Sequence, residues 1–224
     1  MNEPSSLPEN FGGKVRIFPL PNVVLFPNLV LPLHIFEPRY REMVRDSLAA
    51  DRLIAMALLR EGWESEYGTA PPVHPVVCIG RIVQDHELKD GRFNILLHGL
   101  RRGRIRRELP QGDDLYRTAQ VELMSDTEAG LSPDTRDDWR KLLTNLIRSM
   151  LPQSSLPEDT PLGSILDLLA AVALKQPRDQ QTILEVESVA ERLSLLMDLL
   201  KGMPLVDRLA YLKPMGDLRN PSAN

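Results

Sequence analysis

Asn28-Leu29-Val30-Leu31-Pro32-Leu33-His34-Ile35-Phe36-Glu37-Pro38-Arg39-Tyr40 is the stretch around which the rest of the chain is read. An apolar run, Leu29 to Phe36, is interrupted by Pro32 and closed by Glu37-Pro38. Proline has no N–H to give to a sheet ladder, so this strand is expected at an edge or at a bulge. Pro38 suits the first position of the helix that follows, where a missing N–H costs nothing. In that helix Tyr40, Met43, Val44 and Leu48 recur at spacings of three and four and build one apolar face. An apolar edge can pair with an incoming extended segment. The competing reading is a buried core strand with one kink. A one-residue change of register exchanges the two faces, so the sequence leaves open which side chains point outward.

Working outward, the amino-terminal side opens with residues 1–13, which read as a tail with Pro4, Pro8, Gly12 and Gly13. Val15 to Phe18 is a short strand, and the three prolines of Pro19–Pro27 make a kinked connection. On the other side Leu53 to Leu59 reads as a fully buried strand. Glu61–Pro75, with two glycines and three prolines, reads as a long irregular loop carrying Trp63 and Tyr67. Aromatic side chains on such a loop are candidate contact residues. Val76–Leu88 and Phe93–Leu97 flank a hairpin turn marked by Asp90-Gly91. Gly99 permits a corner or bulge before Leu100–Leu109, and Tyr116–Met124 alternates in polarity. Short strands with turn signals between them describe a compact antiparallel sheet or barrel.

The pattern changes after Ser125. Ser132-Pro133 is a helix start, and Trp139, Leu142, Leu143, Leu146, Ile147 and Met150 continue at helical spacing. Further helices are expected over about Leu162–Leu174, Pro177–Glu185 and Ser188–Lys201, the last with Ser188 and Glu191 as a capping box. Leu205–Leu212 adds one or two helical turns, and the last residues read as a tail. The expected organisation is a tail over 1–13, a β-rich subdomain over 14–125, a helical subdomain over 126–212 and a tail over 213–224, an α+β chain.

Composition excludes several functions. The 224 residues are 42% hydrophobic and 26% charged with a net charge of −4, which fits a globular protein and argues against bulk polyanion binding. The single cysteine, Cys78, forms no internal disulfide and no multi-cysteine zinc site, which suits a reducing compartment. The amino terminus lacks the basic start and apolar middle of a signal peptide, and no apolar run is long enough to span a bilayer. A cytoplasmic location is therefore expected. His86 stands between Asp85 and Glu87, but no His-x-x-x-His or Cys-x-x-Cys spacing accompanies it, and the simpler reading is a solvated strand end. No Gly-x-Ser-x-Gly or phosphate-cradling Gly-x-x-x-x-Gly-Lys occurs, so no catalytic residue, metal or cofactor is assigned. The densest charge is Arg101-Arg102-Gly103-Arg104-Ile105-Arg106-Arg107. On a regular strand Arg102, Arg104 and Arg106 share one face and could hold phosphates, with RNA as the ligand. The competing reading pairs them with nearby carboxylates.

Several spaced motifs carry a family resemblance. Val15-Arg16-Ile17-Phe18-Pro19-Leu20-Pro21 through Phe26-Pro27 resembles the opening of the Lon protease amino-terminal, substrate-binding domain. Leu31–Tyr40 is similar to the version in small stand-alone bacterial proteins of that family. Ile79-Gly80-Arg81-Ile82, Asp90-Gly91, Gly99–Ile105 and Val189-Ala190-Glu191-Arg192-Leu193 match later signatures in order. The resemblance implies a highly curved, PUA-like β-domain with one packed helix, followed by a helical bundle. It implies a non-catalytic module that recognises unfolded or extended apolar polypeptide, with the ATPase and protease segments of full-length Lon not expected here. Such a module could act as an adaptor to a separate protease in protein quality control. On this reading the contact residues are Leu31, Leu33, Ile35 and Phe36, aided by Trp63 and Tyr67; the alternative is RNA binding through Arg102, Arg104 and Arg106. The sequence specifies no oligomeric state.

Overall fold

The structure, a computed structural model, describes residues 6–66, 70–110, 112, 114–153 and 156–201. Tyr67 and the helical turns expected at 205–212 lie outside them. The chain divides into two compact units, Met1–Ser125 and Asp126–Asn224.

The first unit holds six strands and one helix: β1 (Lys14–Leu20), β2 (Val30–Ile35), α1 (Pro38–Ala49), β3 (Leu53–Leu58), β4 (Val76–Glu87), β5 (Phe93–Glu108) and β6 (Arg117–Leu123). They form one sheet in the order β2-β5-β4-β3-β1-β6, and β6 also pairs with β5. The sheet is mixed, not antiparallel throughout, because β1 runs parallel to β3 with Ile17 opposite Ala55. That parallel step follows from the α1 crossover, which returns the chain to the side of the sheet from which β1 started. The two strands expected on either side of Gly99 are one continuous strand of 16 residues, β5. Its register slips against β4 where Ile79 faces Arg101 and Gly80 faces Gly99, so the glycine allows a bulge rather than a break.

Every residue of β3 is buried. Alternation explains this: Ile54 and Met56 enter one apolar cluster with Phe18, Tyr40, Met43, Phe93, Ile95 and Leu97, whereas Leu53, Ala55 and Ala57 enter a second with Val15, Ile17, Val77 and Val121. Residues 6–13 do not hang free as a tail. Leu7 and Phe11 pack against the second cluster, and Gln120 donates to the Gly12 carbonyl at 2.8 Å. Within Glu61–Pro75 the chain is less irregular than expected, with a 3-10 turn at Trp63–Glu66 and a bridge from Leu59 to Val73.

The second unit holds α2 (Pro133–Met150), α3 (Leu162–Ala173), α4 (Pro177–Glu185) and α5 (Val189–Lys201), with α3 touching the other three. The Ser132 hydroxyl caps α2 by accepting the Thr135 N–H at 3.2 Å, and Ser188 accepts the Glu191 N–H at 3.3 Å. The Arg192 side chain is fully buried. It donates to Asp126 at 2.6 Å, to Asp167 at 3.1 Å and to the Val186 carbonyl at 2.9 Å. Burial of a guanidinium is tolerated here because its donors meet carboxylates and carbonyls.

Candidate functional site

Among the described residues β2 pairs with β5 alone, so it is an edge strand, as Pro32 requires. Its entry is fixed by a reciprocal backbone contact: the Asn28 N–H donates to the Gly99 carbonyl and the Gly99 N–H to the Leu29 carbonyl, both at 2.8 Å. Asn28 takes a left-handed φ of 64°, which asparagine tolerates better than most residues. Gly99 is required because a Cβ there would run into the Phe26 carbonyl.

From that start the alternation of β2 is fixed. Leu31, Leu33 and Ile35 face the first core cluster, whereas Val30, Pro32 and His34 face outward. Ile35 is 1% exposed and is a core residue, not a contact residue on an open surface. Leu31 and Leu33 are half-buried and packed on that cluster. The exposed apolar groups at this edge are Val30 at 53% and Phe36 at 59%. They continue across the sheet, where Val30 lies opposite His98, Pro32 opposite Leu96 and His34 opposite Asn94. On β4, Val83 is also exposed, next to the second register slip.

The outward polar groups are already organised. The His34 ring stacks with Phe36 at 6.2 Å between centroids. Arg92 donates to His34 Nε2 at 3.2 Å, so Nδ1 carries the proton and donates to Asn94 Oδ1 at 2.7 Å. Arg92 also pairs with Asp90 at 2.7 Å, which holds that carboxyl below its usual range. Burial pushes the imidazole of His98 below the ordinary histidine range, favouring its neutral form opposite Val30.

Trp63 is not brought together with β2. It packs, half-buried, against the second core cluster, whereas β2 packs against the first. Nor do the arginines of β5 form the expected face. Arg102 is 3% exposed and Arg104 is half-buried. A register slip between Ile105 and Arg107 breaks the alternation, and Arg106 pairs with Glu122. Arg101 donates to the Met124 carbonyl and the Ser125 hydroxyl. Arg102, Arg104 and Arg106 therefore do not form one open face, and the arrangement does not support the RNA reading. Near His86, Asp85 pairs with Arg52 at 2.6 Å and Glu87 with Arg45 at 3.2 Å, so both carboxylates are engaged as structural ion-pair partners.

Two features were missed from sequence. Glu42, Asp46 and Asp114 bring carboxylate oxygens within 4.8 Å of one another, but Glu42 accepts the Leu115 N–H and Asp46 the Tyr116 hydroxyl. A cavity of about 370 Å³ is bounded by Pro8, Phe11, Lys14, Arg16, Asp114 and Tyr116, and no residue of β2 lines it. Neither was visible beforehand because the residues are far apart in the chain and no local motif marks them.

Comparison with known proteins gives a consistent picture. Residues 14–202 match the family described as the ATP-dependent protease La (LON) substrate-binding domain. The chain is 30% identical over 196 residues to a Lon protease 2 of Syntrophobacter fumaroxidans, covering 84% of this chain and 23% of that protein. It is 28% identical over 214 residues to a Lon protease 2 of Sorangium cellulosum, covering 87% and 26%. The chain therefore spans about a quarter of the length of these curated relatives. Two solved structures share the fold. The crystal structure of a Lon N-terminal domain protein from Xanthomonas campestris has a TM-score of 0.62 at 22% identity, covering 85% of this chain and 99% of that one. The N-terminal domain of Mycobacterium avium complex Lon protease has a TM-score of 0.59 at 19% identity, covering 85% and 100%. No helix among the described residues is long and apolar enough to cross a membrane.

Proposed function

From the premise that this chain belongs to the LON substrate-binding domain family, we propose that it is a non-catalytic polypeptide-recognition module for unfolded or extended apolar segments. We also read its sheet, whose pairing returns through β6 to β5, as the curved PUA-like barrel of the resemblance, and its second unit as a helical bundle. The observation that carries the function is the apolar exposure at an edge strand: Val30 at the start of β2 and Phe36 just past its end are each more than half exposed, and the strand has one free side. Isolated exposed apolar groups are ordinary, but a run of them along an unpaired edge is a recognition surface.

Burial of an apolar side chain contributes about 1.5–3 kcal/mol, opposed by the ordering of the bound segment. Few side chains take part, so binding is weak and tolerant of sequence. That is the behaviour required of a module that samples many clients. A cytoplasmic adaptor passing clients to a separate protease fits this behaviour. The proteolytic chemistry of the full-length relatives is not assigned to this chain.

The test is binding of the purified protein to a fluorescent, permanently unfolded polypeptide and to a single-stranded RNA, each at low and high salt. Polypeptide binding that persists in high salt is the expected result. RNA binding that collapses with salt, without polypeptide binding, would overturn the reading.

A further inference from the structure

We propose that the free edge of β2 captures an extended, uncharged apolar segment as an added strand, gripped through its backbone at every second residue. This rests on the recognition reading above and adds the manner of binding. The phase of the edge follows from one hydrogen bond. The Leu29 carbonyl accepts from Gly99 of β5 and so points toward β5, whereas the Leu29 N–H is still engaged with the Phe26 carbonyl in the preceding turn. Backbone direction alternates along a strand, so Leu31, Leu33 and Ile35 also turn toward β5, opposite Leu97, Ile95 and Phe93. Val30, Pro32 and His34 then turn theirs to the open side. Val30 and His34 each present an N–H and a carbonyl; Pro32 presents a carbonyl alone. The placement of proline agrees with this phase, since the donor it lacks is one that β5 does not need.

The same geometry says what covers the edge. Leu31 and Leu33 are only partly buried against the first core cluster, so inward side chains of an added strand would have apolar surface left to cover. Its outward side chains would continue the row of Val30, Pro32 and His34. Charge complementarity selects a neutral segment. No lysine, arginine, aspartate or glutamate occurs from Leu29 to Phe36, although natural edges are usually guarded by such charges. Glu37, which follows the strand, pairs with Arg39 at 2.8 Å, and Asp90 pairs with Arg92 at 2.7 Å, the arginine that donates to His34. Pro32 supplies the guard instead. By removing one donor it keeps an added strand weakly held and discourages edge-to-edge assembly of the protein with itself.

The test uses the full chain and a labelled ten-residue peptide of alternating leucine and threonine, in three forms: unmodified, N-methylated at every leucine, and N-methylated at every threonine. One methylated form should lose binding by more than tenfold and the other should bind within about threefold of the unmodified peptide. Equal behaviour of the two methylated forms, whether both bind or neither does, would overturn strand addition. In parallel, Pro32→Val restores the missing donor and should tighten the unmodified peptide by about three- to tenfold, the effect of one net hydrogen bond. Unchanged or weaker binding by a folded Pro32→Val protein would overturn the proposal. So would a variant that pairs with its own copies in sedimentation and excludes the peptide. If the wild-type protein binds neither the peptide nor the unfolded polypeptide, the recognition reading itself fails, an outcome separate from failure of the alternation.

Discussion

Ile35 and Phe36 are adjacent in sequence and opposite in consequence. Ile35 is 1% exposed and Phe36 59%. Ile35→Asp places an unpaired charge in the first core cluster and should cost more than about 4 kcal/mol, abolishing folding at ordinary temperatures. Phe36→Ser should change stability by less than about 0.5 kcal/mol and weaken binding of an unfolded polypeptide several-fold; thermal melts beside fluorescence anisotropy separate the two effects. A folded Ile35→Asp protein would show that the faces of β2 are exchanged. Tyr116 offers a second residue-scale test, independent of β2. Burial, and then the hydrogen bond to Asp46 at 2.8 Å, push its phenol up to about 12. The neutral phenol is the form the fold favours. Its contribution is therefore complete below the ordinary tyrosine value of about 10 and is lost as pH rises through about 12. Absorbance at 295 nm should show one tyrosine ionising late, and Tyr116→Phe should abolish that late step. A late step that survives the substitution would assign it to another tyrosine.

At the scale of elements, what was legible in the sequence is what local chemistry decides. Ser132-Pro133, Ser188 and Pro38 marked helix starts because capping involves residues three or four apart. Asp90-Gly91 marked its hairpin because a left-handed φ, here 78° at Gly91, is a property of single residues. The edge position of β2 was legible through Pro32, a missing donor. What was not legible depends on partners distant in the chain. The parallel pairing of β1 with β3, the continuity of β5 through Gly99 and the slip that breaks up the arginine face are all set by the neighbouring strand. Arg192 shows the same limit, since the motif Val189–Leu193 was recognised but its role was not. This side chain joins α5 to Asp126 and to Asp167 of α3. Arg192→Met should cost about 3–5 kcal/mol because it removes the cation paired with the buried Asp167 carboxylate. Adding Asp167→Leu should recover part of that loss, measured as a shift in the urea midpoint of the helical unit. No recovery would mean that the arginine acts through the Val186 carbonyl rather than through the ion pair.

The whole molecule carries a consequence of where its cores close. Among the described residues, both apolar clusters of the first unit draw their members from residues 7–121, and β6 returns the pairing path to β5 without any strand from beyond Leu123. The Arg192 side chain, in turn, donates to Asp126, Gly163, Asp167 and Val186, all in the second unit. A unit with its own apolar core meets the main physical condition for folding alone. Residues 1–125, produced without the rest, should therefore unfold cooperatively in urea and retain the late titration of Tyr116. If the edge of β2 is the recognition surface, this fragment should also bind the unfolded polypeptide with an affinity within about threefold of the full chain, since every residue of that edge lies inside it. Arg192→Met in the full chain should then leave polypeptide binding unchanged while lowering the stability of the second unit. A cooperative fragment that no longer binds would move the recognition surface to the helices. There Leu142 and Leu146 of α2, four residues apart and both exposed, would be the side chains to substitute next.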